Sequence, residues 1–170
     1  MKPARNINGP WELRGYSDVV YAGDNVTSKI ITGYIVLING AIITCHFQIQ
    51  KTVTLSVIEA EYSEITEVCC RILFLRAVLF FIGVVVKYSI TAHVDNIEAI
   101  LLLDNTAVSQ QKKHKDVHHH FICDYIEDKT VKIQFVDSEE NPVDSFTKNL
   151  SNEPFESIIS RYVHHGVSNI

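Results

Sequence analysis

The sequence places one acidic residue in line with a stripe of apolar residues that is predicted to face the protein core. Glu61 lies four residues before Ile65, the first of the regularly spaced apolar residues of a long helical segment, so it points with them toward the core. Because an unpaired buried carboxylate is costly, such a group should be neutralised, paired or bound to a cation. The alternative is that this end of the helix is solvent-exposed and Glu61 is simply hydrated.

Three aspartates occupy comparable positions. Asp95 ends an apolar strand pattern, where α/β sheets commonly place ligand-binding groups, although a helix N-cap explains it equally well. Asp18 lies within a strand-like segment, for which Asp has low propensity, and the alternative is an exposed strand face or edge. Asp144 opens a short helical segment, where the helix dipole favours an anion. No single acid is decisive, but the four together indicate an acidic site.

The elements that must position these acids start with strands. Residues 13–20 predict a first strand, and residues 22–29 carry turn formers. Residues 30–38 and 41–48 predict a hairpin around Asn39-Gly40, a strong hairpin signal. The first 50 residues therefore read as a three-stranded antiparallel meander.

Helical spacing begins after residue 56. One apolar stripe is predicted to face the core, formed by Ile65, Val68, Ile72, Leu75, Leu79 and Ile82. Glu64, Glu67 and Arg71 share another face, with Glu67 and Arg71 spaced for an ion pair, and Gly83 is a plausible terminator. The apolar run over residues 72–86 contains Arg76 and is shorter than the ~18 residues of a membrane span, so it predicts a buried core helix.

The rest of the chain alternates between short elements. The patterns predict a strand over 89–95, a helix around 99–103, a basic link over 110–115, a helix over 116–127, a strand over 131–136, and helices near 143–149 and 153–164. The order βββ-α-β-α-α-β-α is typical of an α/β fold with a mixed sheet and helices packed on it.

Composition narrows the class of protein. The 170 residues are 46% hydrophobic and 21% charged, which suits one folded domain. The formal net charge of −5 argues against an autonomous nucleic-acid binder, but not against an enzyme whose neighbour in a longer chain holds the nucleic acid. The four cysteines form no CxxC pair, and residues 1–15 show no signal-peptide pattern, so we expect an intracellular protein with no membrane partner.

Six segments, in order, carry a resemblance to a known family. They are GYSDVVYAGD (15–24), TGYIVLING (32–40), QKTVTLSVIEAEYSEITE (50–67), VDNIEAI (94–100), KKHKDVHHHFI (112–122) and ENPVDSFTKNL (140–150). Together they resemble the ribonuclease H domain at the C-terminal end of copia-type retrotransposon Pol polyproteins. The resemblance implies a ribonuclease H-like α/β fold over residues 12–165, with a mixed five-stranded sheet of three antiparallel strands and then parallel additions. Residues 1–11 would be a tail or linker remnant, and residues 166–170 a C-terminal tail.

The resemblance also implies a site and its chemistry. Asp18, Glu61, Asp95 and Asp144 match the family's four carboxylates, which would hold two Mg²⁺ ions, or Mn²⁺ in their place, and hydrolyse the RNA strand of RNA–DNA hybrids. Asp18 would bridge the metals, with Asp95 and Glu61 on one side and Asp144 on the other. Candidate nucleic-acid contacts are Asn96, Lys112, Lys113 and Lys115. The expected partner is an upstream reverse-transcriptase domain, and the expected location is the cytoplasm or a virus-like particle.

Two features favour other interpretations. The family commonly has Trp and basic residues across 45–49, where this chain reads CHFQI, a change typical of a diverged or decaying copy. The alternative function is therefore a weak or inactive remnant that keeps the fold as a binding domain. The histidines at 114, 118, 119 and 120, with Cys123 nearby, suggest a zinc site, but no second ligand pair is evident and the resemblance makes this segment mostly structural.

Overall fold

The computed structural model describes residues 9–24, 27–50, 57–108 and 117–147. Five strands form one sheet in the order β3-β2-β1-β4-β5, and their bounds are β1 Leu13–Asp24, β2 Thr27–Ile38, β3 Ala41–Gln50, β4 Ile90–Val94 and β5 Val131–Phe135. The first three strands pair antiparallel, whereas β4 joins β1 and β5 joins β4 in parallel. The predicted mixed five-stranded sheet is confirmed.

One of the two hairpin turns agrees with the sequence-based prediction and the other does not. Asn39 and Gly40 have φ values of 49° and 81°, the left-handed pair that a two-residue turn requires, as their sequence indicates. In contrast, the prediction of a long turn over 22–29 is wrong, because β1 and β2 remain paired as far as Asp24 and Thr27. Backbone hydrogen bonding along a long hairpin outweighs the weak strand propensity of the glycine, aspartate and serine found there.

Helices cover the sheet. Their bounds are α1 Val57–Phe81, α2 Ile97–Val108, α3 Val117–Glu127 and α4 Asp144–Thr147, with a 3₁₀ turn at Ser138–Glu140. Helix α2 is longer than predicted at both ends. The predicted basic link over 110–115 lies outside the described residues, as does the predicted helix over 153–164.

Helix α1 packs on the sheet through its predicted stripe. Ile65, Val68 and Ile72 are fully buried in the main core. Ile82 is a correction, because it is 63% exposed and lies beyond the helix end. There the Gly83 N–H bonds to the Phe80 carbonyl and the Val84 N–H to the Leu79 carbonyl, the paired bonds of a glycine-terminated helix, with Gly83 at φ 79°.

A glycine allows α1 to approach β1 closely. A Cβ added to Gly15 would lie 2.6 Å from Cγ2 of Val68 and closer still to Cδ1 of Ile72. The helix therefore rests directly on the strand backbone, three residues before Asp18. This contact fixes the height of α1 above β1 and thereby the position of Glu61.

The chain joins the sheet beside the C-terminal end of α1. Trp11, the last residue of the predicted tail, forms a bridge with Val86; its N–H donates to the Val85 carbonyl at 2.7 Å, and its carbonyl accepts from Lys87 N–H at 2.8 Å. Several large apolar side chains are exposed in this region: Phe74, Phe80, Phe81, Ile82, Val85 and Tyr88, which we call the α1-end patch. Within the described ranges, no helix is both long and apolar enough to cross a membrane.

Candidate functional site

Neighbouring parallel strands bring two of the predicted acids together. In the register of β1 and β4, Ser17 pairs with Val94, so Asp18 and Asp95 follow at adjacent positions at the same edge of the sheet. Asp144 opens α4, which packs against β1 and β2. Oxygen atoms of Asp18, Asp95 and Asp144 all lie within 4.8 Å of one another. Three acids widely separated in sequence thus form one cluster.

Asp18 lies at the buried side of this cluster. It is only 3% exposed and accepts a hydrogen bond from the Thr147 hydroxyl. Burial raises the pKa of Asp18 to about 7; the Thr147 bond opposes this shift, while repulsion from Asp95 and Asp144 adds to it. The three carboxylates therefore resist being charged together at neutral pH unless a cation joins them.

Glu61 is buried next to the cluster but stands apart from the three converging aspartates. It is 4% exposed, so its carboxylate is covered rather than hydrated. Burial raises the pKa of Glu61 to about 8; the Asn96 side chain opposes this shift by hydrogen bonding, and Asp95 and Asp18 add to it. Its Oε2 atom is buried and has no hydrogen-bond partner among the described residues. Glu61 is therefore poised to gain a cation or to keep a proton.

Asn96 links this glutamate to the next helix. Its Oδ1 accepts from the N–H groups of Glu98 and Ala99 at 2.9 and 3.1 Å, so Asn96, not Asp95, is the N-cap of α2. Asp95 instead accepts a 2.9 Å hydrogen bond from the Ser138 hydroxyl. The role of Asn96 in nucleic-acid binding stays a prediction, and Lys112, Lys113 and Lys115 lie outside the described residues.

The segment before α4 is tied to β1 by polar and apolar contacts. Asn141 donates from Nδ2 to the Ser17 carbonyl at 2.9 Å, and its Oδ1 accepts from Val143 N–H at 3.1 Å. Val143 is fully buried in a second core cluster, on which Phe146 also packs. Sequence reasoning missed Ser138, Asn141 and Thr147, although the last two fall within the ENPVDSFTKNL block.

Glu64 was also missed as a buried acid. It lies one turn beyond Glu61 on α1 and is nearly fully buried, whereas Glu67 and Arg71 form the predicted ion pair at 2.8 Å on the surface. Burial raises the pKa of Glu64 to about 7, while a side-chain hydrogen bond with Thr32 and the charge of His46 oppose the shift. The long β2–β3 hairpin covers this face of the helix, which periodicity within α1 alone does not reveal.

The acids match the ligand preferences of a hard divalent cation. Carboxylate oxygens are the donors that Mg²⁺ and Mn²⁺ favour, and the clustered oxygens together with the buried, unpartnered Oε2 of Glu61 offer several of them. Of the predicted zinc ligands, His114 and the side chains of the three histidines in α3 lie outside the described part of the chain.

Comparison with known proteins finds retrovirus-related Pol polyproteins of plant transposons among the relatives of this chain. No protein-family model matches the chain. The retrovirus-related Pol polyprotein of transposon TNT 1-94 from Nicotiana tabacum is 34% identical over 144 residues, which are 85% of this chain and 11% of that protein. The corresponding polyprotein of transposon RE1 from Arabidopsis thaliana is 27% identical over 149 residues, 88% of this chain and 10% of that protein.

A solved structure is also similar to this chain. LC11-RNase H1, crystallised with an RNA/DNA hybrid, is 13% identical, with coverage of 76% of this chain and 88% of that one and a TM-score of 0.47. The chain spans about a tenth of the length of the polyproteins that it matches. It is a homologue of one stretch of the retrovirus-related Pol polyproteins of plant transposons.

Proposed function

We propose that this domain is a ribonuclease H-type hydrolase that uses divalent cations to cleave the RNA strand of RNA–DNA hybrids. The observation that carries the proposal is the meeting of Asp18, Asp95 and Asp144 at one edge of the sheet, with the buried Glu61 beside them. Homology to transposon Pol polyproteins supports the same conclusion. Phosphodiester hydrolysis is the reaction for which such oxygen-only acidic clusters are suited.

The chain's own residues would prepare the site. Asp18, Asp95, Asp144 and Glu61 would hold two Mg²⁺ ions, which when bound activate water and stabilise negative charge on the leaving oxygen. Burial of Asp18 and Glu61 keeps bulk water away from these two carboxylates. The raised pKa values of these two groups mean that cation binding must displace protons, so affinity for the cation rises with pH.

The proposal also covers the binding partners and the cellular location of the protein. The hybrid would be held partly by a reverse-transcriptase domain in a longer polyprotein, because this chain has a net charge of −5. Lys112, Lys113 and Lys115 would supply phosphate contacts. The protein would act in the cytoplasm or in virus-like particles.

Cleavage of a strand-labelled RNA–DNA hybrid tests the function directly. We expect scission of the RNA strand with Mg²⁺ or Mn²⁺, none with chelator, and none for Asp18→Asn. Asp128→Asn is the matched control, since it makes the same acid-to-amide change at a fully exposed position and should keep activity. Scission that survives chelation or the Asp18 change would contradict the assignment.

A second candidate is a non-catalytic domain that keeps the fold for binding. The α1-end patch favours it, since exposed apolar surface of this kind often marks a docking site. The cleavage assay separates the two: a folded protein that binds Mg²⁺ but leaves the hybrid intact supports the binding domain.

A further inference from the structure

We propose that the hydroxyl groups of Thr147 and Ser138 are positioning groups that orient the carboxylates of Asp18 and Asp95 toward a shared cation. The inference rests on the cation site of the proposed function, and it assigns a task to two residues that do not themselves belong to the acidic set. Both hydroxyls come from one short segment, residues 138–147, which also carries Asp144.

The Thr147 hydroxyl has one hydrogen and a choice of acceptors. It lies close to Oδ2 of Asp18, whereas the Val143 and Asp144 carbonyls are at 3.3 and 3.4 Å. Both Thr147 and Asp18 are buried, so water does not compete for this bond. The hydrogen is therefore directed at the carboxylate, which restricts rotation of the Asp18 side chain.

Ser138 holds the second aspartate in the same way. Its hydroxyl donates to Oδ2 of Asp95 at 2.9 Å from the 3₁₀ turn that follows β5. Asp95 and Asp18 lie on neighbouring strands, and each is held by a hydroxyl from the segment that carries the third aspartate. One segment thus supplies one acid and orients the other two.

The segment itself is anchored independently of the hydroxyls. Asn141 is almost fully buried and bonds to the Ser17 carbonyl, one residue before Asp18. Val143 is fully buried against Tyr16, Ile35 and Leu37. These contacts place Thr147 and Ser138 before any cation arrives, which is the arrangement that lowers the reorganisation needed on binding.

Mg²⁺ and Mn²⁺ titration calorimetry on the full chain tests the proposal. We expect Thr147→Val to weaken Mg²⁺ binding by roughly 10-fold, in the range for groups that orient metal ligands, and Thr147→Ser to restore it to within about 3-fold. Ser138→Ala should weaken binding by a smaller factor, because this residue is solvent-exposed, and Ser138→Thr should restore it.

Thr66→Val is the matched control. Thr66 is likewise buried and bonds to the carbonyl four residues earlier, but it lies in α1 and contacts a backbone group. We expect it to leave Mg²⁺ affinity unchanged. Metal-free urea unfolding of every variant separates a loss of stability from a loss of binding.

Each outcome decides the matter. Unchanged Mg²⁺ affinity for Thr147→Val, or equal weakening by Thr147→Val and Thr147→Ser, would overturn the proposal. If Thr147→Val does not fold, the exposed Ser138→Ala variant and its threonine rescue decide instead. Weakened cation binding in a protein that cleaves no hybrid would uphold the positioning role while rejecting the hydrolase, and a wild-type chain that binds neither cation would reject both.

Discussion

Asp18 is the residue at which burial and charge conflict most directly. It is buried beside two other aspartates and accepts a hydrogen bond from the hydroxyl of Thr147. Glu61 and Glu64 are in a similar state, since burial raises the pKa of each well above its ordinary value. At neutral pH the metal-free protein therefore keeps protons on carboxylates that would bind the cation.

The stability of the metal-free protein should fall as pH rises from 6.5 to 8.5. The pKa values of Asp18 and Glu61 are raised to about 7 and about 8, so in this window the folded protein binds protons that the unfolded chain has already lost. The free energy of unfolding then decreases with pH, by roughly 1–3 kcal/mol. Urea denaturation in chelator measures it.

The pH range is chosen to lie above the titration of His93, and a variant and Mg²⁺ serve as controls. Burial lowers the pKa of His93 from 6.5 to about 4, so its effect on stability falls mostly below the chosen range. Asp18→Asn should reduce the pH dependence, because Glu61 and Glu64 keep their raised pKa values. Saturating Mg²⁺ should remove most of the pH dependence, because the cation-bound fold, like the unfolded chain, then holds no protons on the acids that bind the cation. Stability that is constant or rises with pH in chelator would contradict the raised pKa values.

Removing one outer acid should relieve repulsion. Asp144→Asn keeps the size of the side chain but removes a charge that raises the pKa of Asp18. We expect metal-free stability equal to or above that of the wild type, within about 1 kcal/mol, together with a large loss of Mg²⁺ affinity. Urea unfolding and calorimetry on the same samples measure both. A clear loss of metal-free stability would instead make Asp144 a structural cap of α4.

At the scale of elements, the sheet and helix α1 are held in one arrangement by close backbone packing. Gly15 lets α1 rest on β1, and the Schellman-type bonds at Gly83 end the helix where its buried face ends. These two glycines serve different purposes, one providing space and the other a left-handed backbone. The position of Glu61 above the strand edge depends on the first.

Gly15→Ala should destabilise the fold by roughly 1–3 kcal/mol through overpacking. The added methyl group would meet Val68 and the Cδ1 atom of Ile72. Ile72→Val removes that atom, so the cost of Gly15→Ala should be smaller in this background, and a double-mutant cycle of urea unfolding measures the difference. Identical costs in both backgrounds would show that the contact is absent.

Elements with strong local signals could be predicted from the sequence. Hydrophobic periodicity and turn-forming residues reveal features that depend on neighbours along the chain. These features are the Asn39-Gly40 turn, the buried stripe of α1 and its Gly83 terminator. The extension of β1 to Asp24 depends on its pairing with β2, and the burial of Glu64 depends on the β2–β3 hairpin, so the pattern within one element does not contain them. The ordered sequence blocks predicted Asp18, Asp95 and Asp144 as one site, but not the Thr147 and Ser138 hydroxyls that bond to the first two.

At the scale of the whole molecule, neither the net charge nor the exposed apolar surface favours binding of the proposed substrate. The chain has 20 acidic and 15 basic residues, and the acidic site adds to the repulsion of a polyanion. The α1-end patch lies around the Trp11 bridge, where the preceding polypeptide reaches the domain. We therefore expect this chain alone to hold the proposed substrate weakly.

The isolated chain should bind an RNA–DNA hybrid weakly and with a shallow salt dependence. Each phosphate contact contributes a slope of about 0.9 in log affinity against log salt, and few basic groups are present to make such contacts. Fluorescence anisotropy in chelator, between low and moderate salt, measures the slope without cleavage. Tight binding with a steep slope by residues 1–170 alone would contradict this expectation.

The bond between Thr147 and Asp18 joins residues 129 positions apart, and that between Asn141 and Ser17 joins residues 124 positions apart. The three N-terminal strands, in contrast, pair with their immediate neighbours in the chain. Local pairings form early and distant ones late, because closing a long loop costs entropy before any contact repays it. During synthesis the hairpins can form while α4 is still inside the ribosome, so we expect the proposed cation site to be completed only when residues 144–147 emerge.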